Sequence, residues 1–517
     1  MKGDTGQDTF ARKSMVLILG FSLFELLMHL YSNAFAHYGI FRDELYYIAC
    51  SRHLSAGYVD QPPLSSYILF VSIKLFGDSL FAIRLLPAVA SAVTVFLAGI
   101  ITRKLGGGYF AIVVSCLSLA LAPQFMGVNS IYSMNSFDWL FWSLAIYLAI
   151  LIFEAGNKRL WVWLGITLGL GLLNKIDILW LGAGLLAGLL ATEQRKHLKT
   201  KWPYIAGAIA FVIFSPYIIW NFTHSFATLE FIRNASSIKY ASQNPLTMIS
   251  GIFLALNPFS APVWIAGIYF FFFYKEGKTF RAAGYIFLTT FVILVINWHT
   301  KAEYLAPAFP LLYSAGAVIF ERLCTFKNLA WIKYALPVLI ILTGLLLVPF
   351  ALPVLPVQTF ISYAQTIGIT PKSGEAHRLE GLPQHYADMF GWENMAATVS
   401  KVFTSLSPAE QKRTVVFAQN YGEAGAIDFY RKDFPLPRVI SGHNNYWYWG
   451  PGDTTFTTVI VIGGNKNDHL QSCDSVETAA VIKSKYAIPY ENNLPVFICR
   501  EFKLPFSEIW ERVRFFI

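Results

Sequence analysis

Long apolar runs alternate with short polar gaps as far as about residue 353, after which polar and apolar positions become mixed. A bilayer crossing takes ~20 residues, and runs that approach this length begin near Met15, Phe81, Tyr109, Phe137, Leu160, Ile176, Trp202, Met248, Ala282, Ala302 and Tyr334. About eleven transmembrane helices are predicted. Basic residues occupy every second gap: Arg12 and Lys13; Arg103 and Lys104; Lys158 and Arg159; Arg195, Lys196, Lys199 and Lys201; Lys275, Lys278 and Arg281; Arg322, Lys327 and Lys333. The positive-inside rule assigns these gaps to the cytoplasm. The N-terminus is then inside, and an odd helix count puts everything after about residue 353 outside.

The predicted fold class is a polytopic α-helical membrane protein with a small C-terminal extracytoplasmic α/β domain. Its membrane domain covers residues 1–353, with a first outer loop at about 36–80, and its soluble domain covers residues 354–517. In that tail Thr414–Ala418 and Thr458–Ile462 read as short buried strands, and residues 423–430 as a helix between them. Gly422 and Gly425 imitate a fragment of a dinucleotide loop, but G-x-x-G lacks the remaining glycine spacing and reads as close packing of a turn.

Composition agrees with a membrane protein: 55% of residues are hydrophobic and only 14% are charged, against about 25% charged in soluble domains. The net charge of +9 is explained by the cytoplasmic gaps, and no basic groove with interleaved aromatics suggests nucleic acid. The cysteines Cys50, Cys116, Cys324, Cys473 and Cys499 form no metal-spaced pattern, and only Cys473 and Cys499 share the tail. Ala34-Phe35-Ala36 has the shape of a signal-peptidase site, yet the run from Met15 is longer than a signal h-region and reads as a retained helix. Asn221-Phe222-Thr223 and Asn234-Ala235-Ser236 match the glycosylation sequon.

With the orientation set, the polar residues that interrupt apolar stretches collect on the outer side. The first outer loop carries Arg42-Asp43-Glu44, Arg52-His53 and Asp60-Gln61-Pro62-Pro63, then Leu64–Phe76, apolar on one side and too short to span, as in an interfacial helix. Asp138 marks the outer end of the fourth helix, Asn174-Lys175-Ile176-Asp177 a tight outer turn, His299-Thr300-Lys301-Ala302-Glu303-Tyr304 another, and Arg84 the outer end of the second helix. Charges held in hydrocarbon cost roughly 2.5–3.5 kcal/mol each on insertion scales, so such residues tend to face a cavity or a partner. Asp177 and Glu303 read as local salt-bridge partners; Lys175 and Lys301 also fit snorkelling helix ends.

Phe41-Arg42-Asp43-Glu44-Leu45-Tyr46-Tyr47 followed by Ala56-Gly57-Tyr58-Val59-Asp60-Gln61-Pro62-Pro63-Leu64 resembles the first outer loop of the GT-C lipid-sugar-dependent glycosyltransferases. The nearest groups are bacterial relatives of the dolichyl-phosphate-mannose protein mannosyltransferases and the lipid A aminoarabinose transferase. Asp138 at a second acidic position, the Gly171-Leu172-Leu173-Asn174-Lys175 turn, Tyr304-Leu305-Ala306-Pro307, and the tail segments Asn420-Tyr421-Gly422-Glu423 and Ser441-Gly442-His443-Asn444-Asn445-Tyr446-Trp447 extend the likeness. Gln61 departs from it where the aminoarabinose transferase has a Lys before Pro-Pro-Leu, as does Ile176 where many relatives have Gly after the Lys.

The resemblance implies transfer of a sugar, with inversion, from a polyprenyl-phosphate donor to a protein, lipid A, glycan or lipid acceptor at the outer face of a bacterial inner membrane. A carboxylate within reach of the acceptor hydroxyl serves as general base, and Asp43 is the candidate, with Glu44 and Asp138 to orient the loop or bind sugar hydroxyls. Lys175, Lys301 and Arg84 are candidates to neutralise the leaving phosphate, with His299 and Tyr304 as further substrate contacts. No cofactor is required by the pattern. A divalent metal at Asp43, Glu44, Asp138 and His299 stays open, since no spacing demands one. Tyr46, Tyr47, Tyr58, Tyr67 and Trp139 are candidate stacking faces for sugar or, alternatively, an interfacial belt. The competing function is a transporter or flippase of lipid-linked sugars, although transporters usually place polar groups near the midplane.

Overall fold

A computed structural model of the chain describes residues 4–35, 38–239, 245–297, 302–369 and 381–517. The chain divides into two compact units. The first comprises Met1–Ala36, Leu75–Ile219 and Ser242–Leu355; the second comprises His37–Lys74, Trp220–Ala241 and Pro356–Ile517.

The first unit is a helical bundle. Among the described residues, seven helices are long and apolar enough to cross a membrane, or nine if each of two bent pairs counts as one span. The count of about eleven is not confirmed, because among the described residues two of the apolar runs form shorter helices. Arg159–Asn174 and Ile178–Ala191 have 16 and 14 residues, about 24 and 21 Å at 1.5 Å per residue, short of the ~30 Å hydrocarbon core. Asn174-Lys175 ends the first of these and Thr192 caps the second. The bent pairs are Tyr109–Ala120 with Pro123–Asn129, at 60°, and Ile249–Ala255 with Pro258–Phe272, at 106°. Both breaks fall just before a proline, whose ring disfavours helical backbone in the preceding residue.

Trp142, Ile146, Phe270, Phe309 and Tyr313 lie in the buried core of the bundle, while Leu19, Leu23 and Leu27 on the first helix and Leu342 and Leu345 on the last one turn outward. Polar groups also join helices inside. Glu25 and His29 of Asp4–Phe35 are fully buried, with His29 Nε2 3.1 Å from Glu25 Oε1, and Ser91 of Leu85–Lys104 donates to the same carboxylate. Such bonds hold helices together where lipid supplies no hydrophobic drive.

Glycines set the closest approaches. A methyl group at Gly316 on Phe309–Leu323 would overlap the Val263 carbonyl of Ala261–Phe272, and one at Gly267 would overlap the Leu312 carbonyl. The two helices therefore meet backbone to backbone. Gly316→Val is expected to lose 1–3 kcal/mol or more through overpacking and to lower the thermal midpoint of detergent-solubilised protein. Gly20→Ala, which meets nothing within 4 Å, is the matched control and should melt as wild type.

The second unit is built on a five-stranded sheet, β1 (Thr414–Ala418), β2 (Val439–Ser441), β3 (Thr458–Ile462), β4 (Cys473–Ile482) and β5 (Leu494–Phe502), in the order β2-β1-β3-β5-β4. β1 pairs parallel with β2 and with β3, and β5 runs antiparallel between β3 and β4. The helix Tyr421–Tyr430 follows β1, with Asn420 as its cap accepting from the Gly422 and Glu423 amides at 2.9 and 3.0 Å. Both strands read from sequence are present at the predicted residues, and the helix begins two residues earlier than read. Cys473 and Cys499 are buried, free thiols in the core of this sheet.

The loop segment 37–74 belongs to this unit through the helix Arg42–Arg52, which packs on Tyr421–Tyr430. Gly422 and Gly425 allow it. A Cβ on Gly422 would sit 2.6 Å from Arg42 Cγ, and one on Gly425 2.8 Å from Leu45 Cβ. The G-x-x-G pair thus serves helix-on-helix packing. Leu64–Phe76 is helical. The Asn221 carbonyl and Asn234 amide of the two sequons are already engaged, with the Thr228 amide and the Phe516 carbonyl.

Candidate active site

The two residues of the acidic pair do different work. Glu44 is fully buried, and its Oε2 accepts the Phe41 amide at 2.9 Å across the first turn of Arg42–Arg52. It fastens the helix start, where the dipole also favours a negative charge. Asp43, on the neighbouring face, keeps 38% of its side chain exposed. Its Oδ1 accepts the Tyr421 hydroxyl at 2.8 Å and lies 3.6 Å from Arg42 Nε. Arg42 is held in turn: its amide donates to the Asp388 carbonyl at 3.1 Å, its guanidinium stands 4.0 Å from the Asp388 carboxylate, and it bonds the Tyr490 hydroxyl.

The tail segment Ser441 to Trp449 grips the same loop. Asn445 Oδ1 accepts the Val59 amide at 2.6 Å, and the Asn445 amide donates to the Tyr46 hydroxyl, which itself donates to Asp60 at 3.0 Å. Tyr446 donates to Asp428 at 3.0 Å, and Trp449 stacks on His53 with ring centres 4.3 Å apart. The aromatic run is therefore packing within this unit. Of the candidate stacking residues, Tyr46, Tyr47, Tyr58 and Trp139 are buried and only Tyr67 is exposed. Gln61 is buried too, its carbonyl accepting the Tyr58 amide at 3.1 Å.

In the helical unit, Asp138 of Met134–Ala155 and the turn at residues 174–177 come together. Lys175 Nζ lies 3.2 Å from Asp138 Oδ2 and 2.7 Å from Asp177 Oδ2, with all three side chains largely buried. The Asn174 amide donates to the Met134 carbonyl at 2.8 Å and docks the turn on the start of that helix. The Lys175 ammonium also stands 5.0 Å from the centre of the Tyr304 ring. Lys175 is thus shared between two carboxylates rather than standing free for a phosphate, and the cluster carries one more negative than positive charge when all three are ionised. Asp177 is a salt-bridge partner as read from sequence, and Glu303 accepts from Gln124 at 3.2 Å. Arg84 is buried at the start of Leu85–Lys104, and its carbonyl accepts Asn33 Nδ2 at 3.3 Å. Lys301 and His299 lie outside the described residues. Among the described residues, no group of three or more His, Cys, Asp or Glu side chains is gathered for a metal ion.

Sequence reading missed Arg42, Tyr421, Asp388 and Tyr490 as the frame of Asp43, although Arg42 and Tyr421 both fall in segments singled out for resemblance. Behind that frame lies a second buried acid pair. Asn420 Nδ2 donates to Glu423 Oε1 at 3.0 Å and Glu491 Oε1 at 2.8 Å. Burial raises both carboxyls above their usual range, Glu423 strongly and further through the charge of Glu491, and Glu491 to about 7. An acid whose pKa is higher folded than unfolded contributes stability that is full below its unfolded value, near 4.5, and is lost as pH rises through the folded one. Wild-type protein is therefore expected to melt lower at pH 8 than at pH 5, and Glu491→Gln to flatten much of that dependence in a thermal melt. An identical pH slope in the variant would contradict the assignment.

Comparison with known proteins bears on this geometry. A family model described as dolichyl-phosphate-mannose-protein mannosyltransferase matches residues 60–220, a stretch that contains Asp138, Lys175 and Asp177 but not Asp43. The undecaprenyl phosphate-alpha-4-amino-4-deoxy-L-arabinose arabinosyl transferase of Pseudomonas aeruginosa is 26% identical over 133 residues, 25% of this chain and 24% of that protein. The match thus spans about a quarter of that relative's length. The crystal structure of ArnT from Cupriavidus metallidurans bound to undecaprenyl phosphate superposes with a TM-score of 0.59 at 13% identity, over 93% of this chain and 97% of that one. Its apo form gives 0.60 at 13% identity, over 94% and 98%. The apo oligosaccharyltransferase of Archaeoglobus fulgidus gives 0.51 at 13% identity, over 87% and 69%. The solved structures establish a shared fold over nearly the whole chain, and the family match places its likeness in the stretch that holds the Asp138, Lys175 and Asp177 cluster.

Proposed function

We propose that the protein transfers a sugar from a polyprenyl-phosphate donor to an acceptor hydroxyl at the outer face of a bacterial inner membrane, with Asp43 as general base. The observation that carries the assignment is the division of labour in the acidic pair: Glu44 is buried and committed to the helix start, while Asp43 presents an oriented, accessible carboxylate. The fold shared with ArnT crystallised with undecaprenyl phosphate supports the donor class. The basic residues in alternate gaps support an N-terminus in the cytoplasm and a tail domain outside.

In the reaction the acceptor atom attacks the anomeric carbon from the face opposite the phosphate. A bond from that atom to carbon forms, its proton passes to Asp43, and the carbon–oxygen bond to phosphate breaks, polyprenyl phosphate leaving with the electron pair. The product has inverted anomeric configuration. Phosphate is already a good leaving group and needs charge neutralisation more than a proton. Lys175 holds Asp138 and Asp177, and a phosphate would meet it either through the third N–H of its ammonium or in place of one of those carboxylates. Arg84, Lys301 and His299 remain candidates for the phosphate, Tyr304 for the sugar, and the acceptor class spans protein, lipid A, other glycans and lipid.

The test is the protein reconstituted in liposomes with a polyprenyl-phosphate sugar and a soluble acceptor mimic. Release of polyprenyl phosphate together with an inverted glycoside supports the proposal. Movement of intact donor between leaflets with no bond cleavage would replace it with a flippase.

A further inference from the structure

We infer that Tyr421, a residue of the tail domain 378 positions from Asp43 in sequence, is the positioning residue that aims the Asp43 carboxylate at the acceptor. The inference rests on Asp43 being the general base.

The geometry has three parts. First, the Tyr421 hydroxyl donates to Asp43 Oδ1 at 2.8 Å. Asp43 is an accessible side chain on the first turn of a helix, and without a fixed partner it would sample several rotamers. One bond to Oδ1 settles its orientation and leaves Oδ2 for an incoming proton. Second, Tyr421 is itself immobile. It is 7% exposed; its ring lies 4.8 Å from Tyr46 and 4.9 Å from His443, and the Arg42 guanidinium sits 5.6 Å over its centre. Third, its backbone is pinned. The Tyr421 amide donates to His443 Nδ1 at 3.2 Å, and His443 Nε2 lies 2.9 Å from the Ile517 backbone oxygen. Nδ1 is thus the acceptor and Nε2 carries the proton, the neutral tautomer that fits both partners.

Arg42 completes the arrangement from the other side, 3.6 Å from the same oxygen, but it is anchored by Asp388 and Tyr490. Among the described residues, Tyr421 supplies the short, directional bond to Oδ1. An orienting bond to a charged group made by a locked side chain is what lets a base act without first being reorganised. A tail domain that contributes this hydroxyl is part of the catalytic apparatus rather than an appendage.

Tyr421→Phe removes only the hydroxyl and keeps the ring contacts with Tyr46, His443 and Arg42. In full-length protein assayed with a polyprenyl-phosphate sugar, kcat is expected to fall about 10- to 100-fold, with KM for donor and acceptor and the thermal midpoint unchanged. Asp43→Asn is measured alongside. Wild-type kcat in Tyr421→Phe with Asp43→Asn inactive would overturn the positioning role and leave the base standing. A lowered midpoint and raised KM at unchanged kcat would overturn it as well, since the hydroxyl would then be a structural tie. Wild-type kcat in Asp43→Asn would remove the base assignment and this inference with it.

Discussion

Asp43→Asn is expected to lower turnover about 10²- to 10⁴-fold, the usual contribution of a general base, with donor affinity and thermal midpoint close to wild type. The amide has the carboxylate's shape, and its oxygen still accepts the Tyr421 hydroxyl, so the loop keeps its geometry while the proton acceptor is lost. Glu44→Ala makes the contrast. Because Glu44 Oε2 satisfies the Phe41 amide in a buried setting, its removal is expected to cost about 1 kcal/mol or more of stability. Lost rate in the first variant and a lowered midpoint in the second separate chemistry from scaffold within two adjacent residues. A normal rate in Asp43→Asn would defeat the base assignment.

The other large effect is expected at Lys175. Its ammonium is the partner shown for both Asp138 and Asp177, and removing one side of a buried ion pair typically costs 3–5 kcal/mol because the opposite charge is left without compensation. Lys175→Ala is therefore expected to reduce folded yield and thermal midpoint sharply and to lose activity. The triple variant Lys175→Met, Asp138→Asn, Asp177→Asn removes the charges together and should recover much of the midpoint without recovering turnover. If Lys175→Ala melts as wild type, the pairing is not what holds this end of the bundle. If the triple variant is fully active, the cluster is structural alone.

Much of this organisation is visible in the residues themselves. Apolar run length locates the helices, and alternation of basic gaps sorts their ends, so the sequence places Asp138 and the Asn174 to Asp177 turn at one level, and in the structure they are in contact. The strands Thr414–Ala418 and Thr458–Ile462 are short runs rich in β-branched residues and largely buried in the sheet, so they announce themselves. β4 does not, because most of its residues between Cys473 and Ile482 are exposed at the sheet edge and carry no regular alternation. Helix length is less legible than helix position: the turn at Asn174 to Asp177 reads directly from its polar residues, but the runs on either side of it are helical for only 16 and 14 residues. Glu25 and His29 escape because two polar residues in a 28-residue apolar span barely change its mean. The frame of Asp43 is hidden more deeply, since nothing in residues 41–47 indicates that Tyr421, Asp388 and Tyr490 will close around it. The pairing depends on a helix-to-helix packing that Gly422 and Gly425 permit and that sequence separation conceals.

The central claim is transfer of sugar from a lipid phosphate, and the most direct measurement follows the sugar. Membranes containing the protein receive a panel of radiolabelled polyprenyl-phosphate sugars, and label is traced into protein, lipopolysaccharide and free-lipid fractions, with Asp43→Asn membranes in parallel. The account predicts that one donor passes label into one acceptor fraction in wild type and not in the variant. Label that stays on the donor in every fraction, or that moves equally in both membranes, would contradict it.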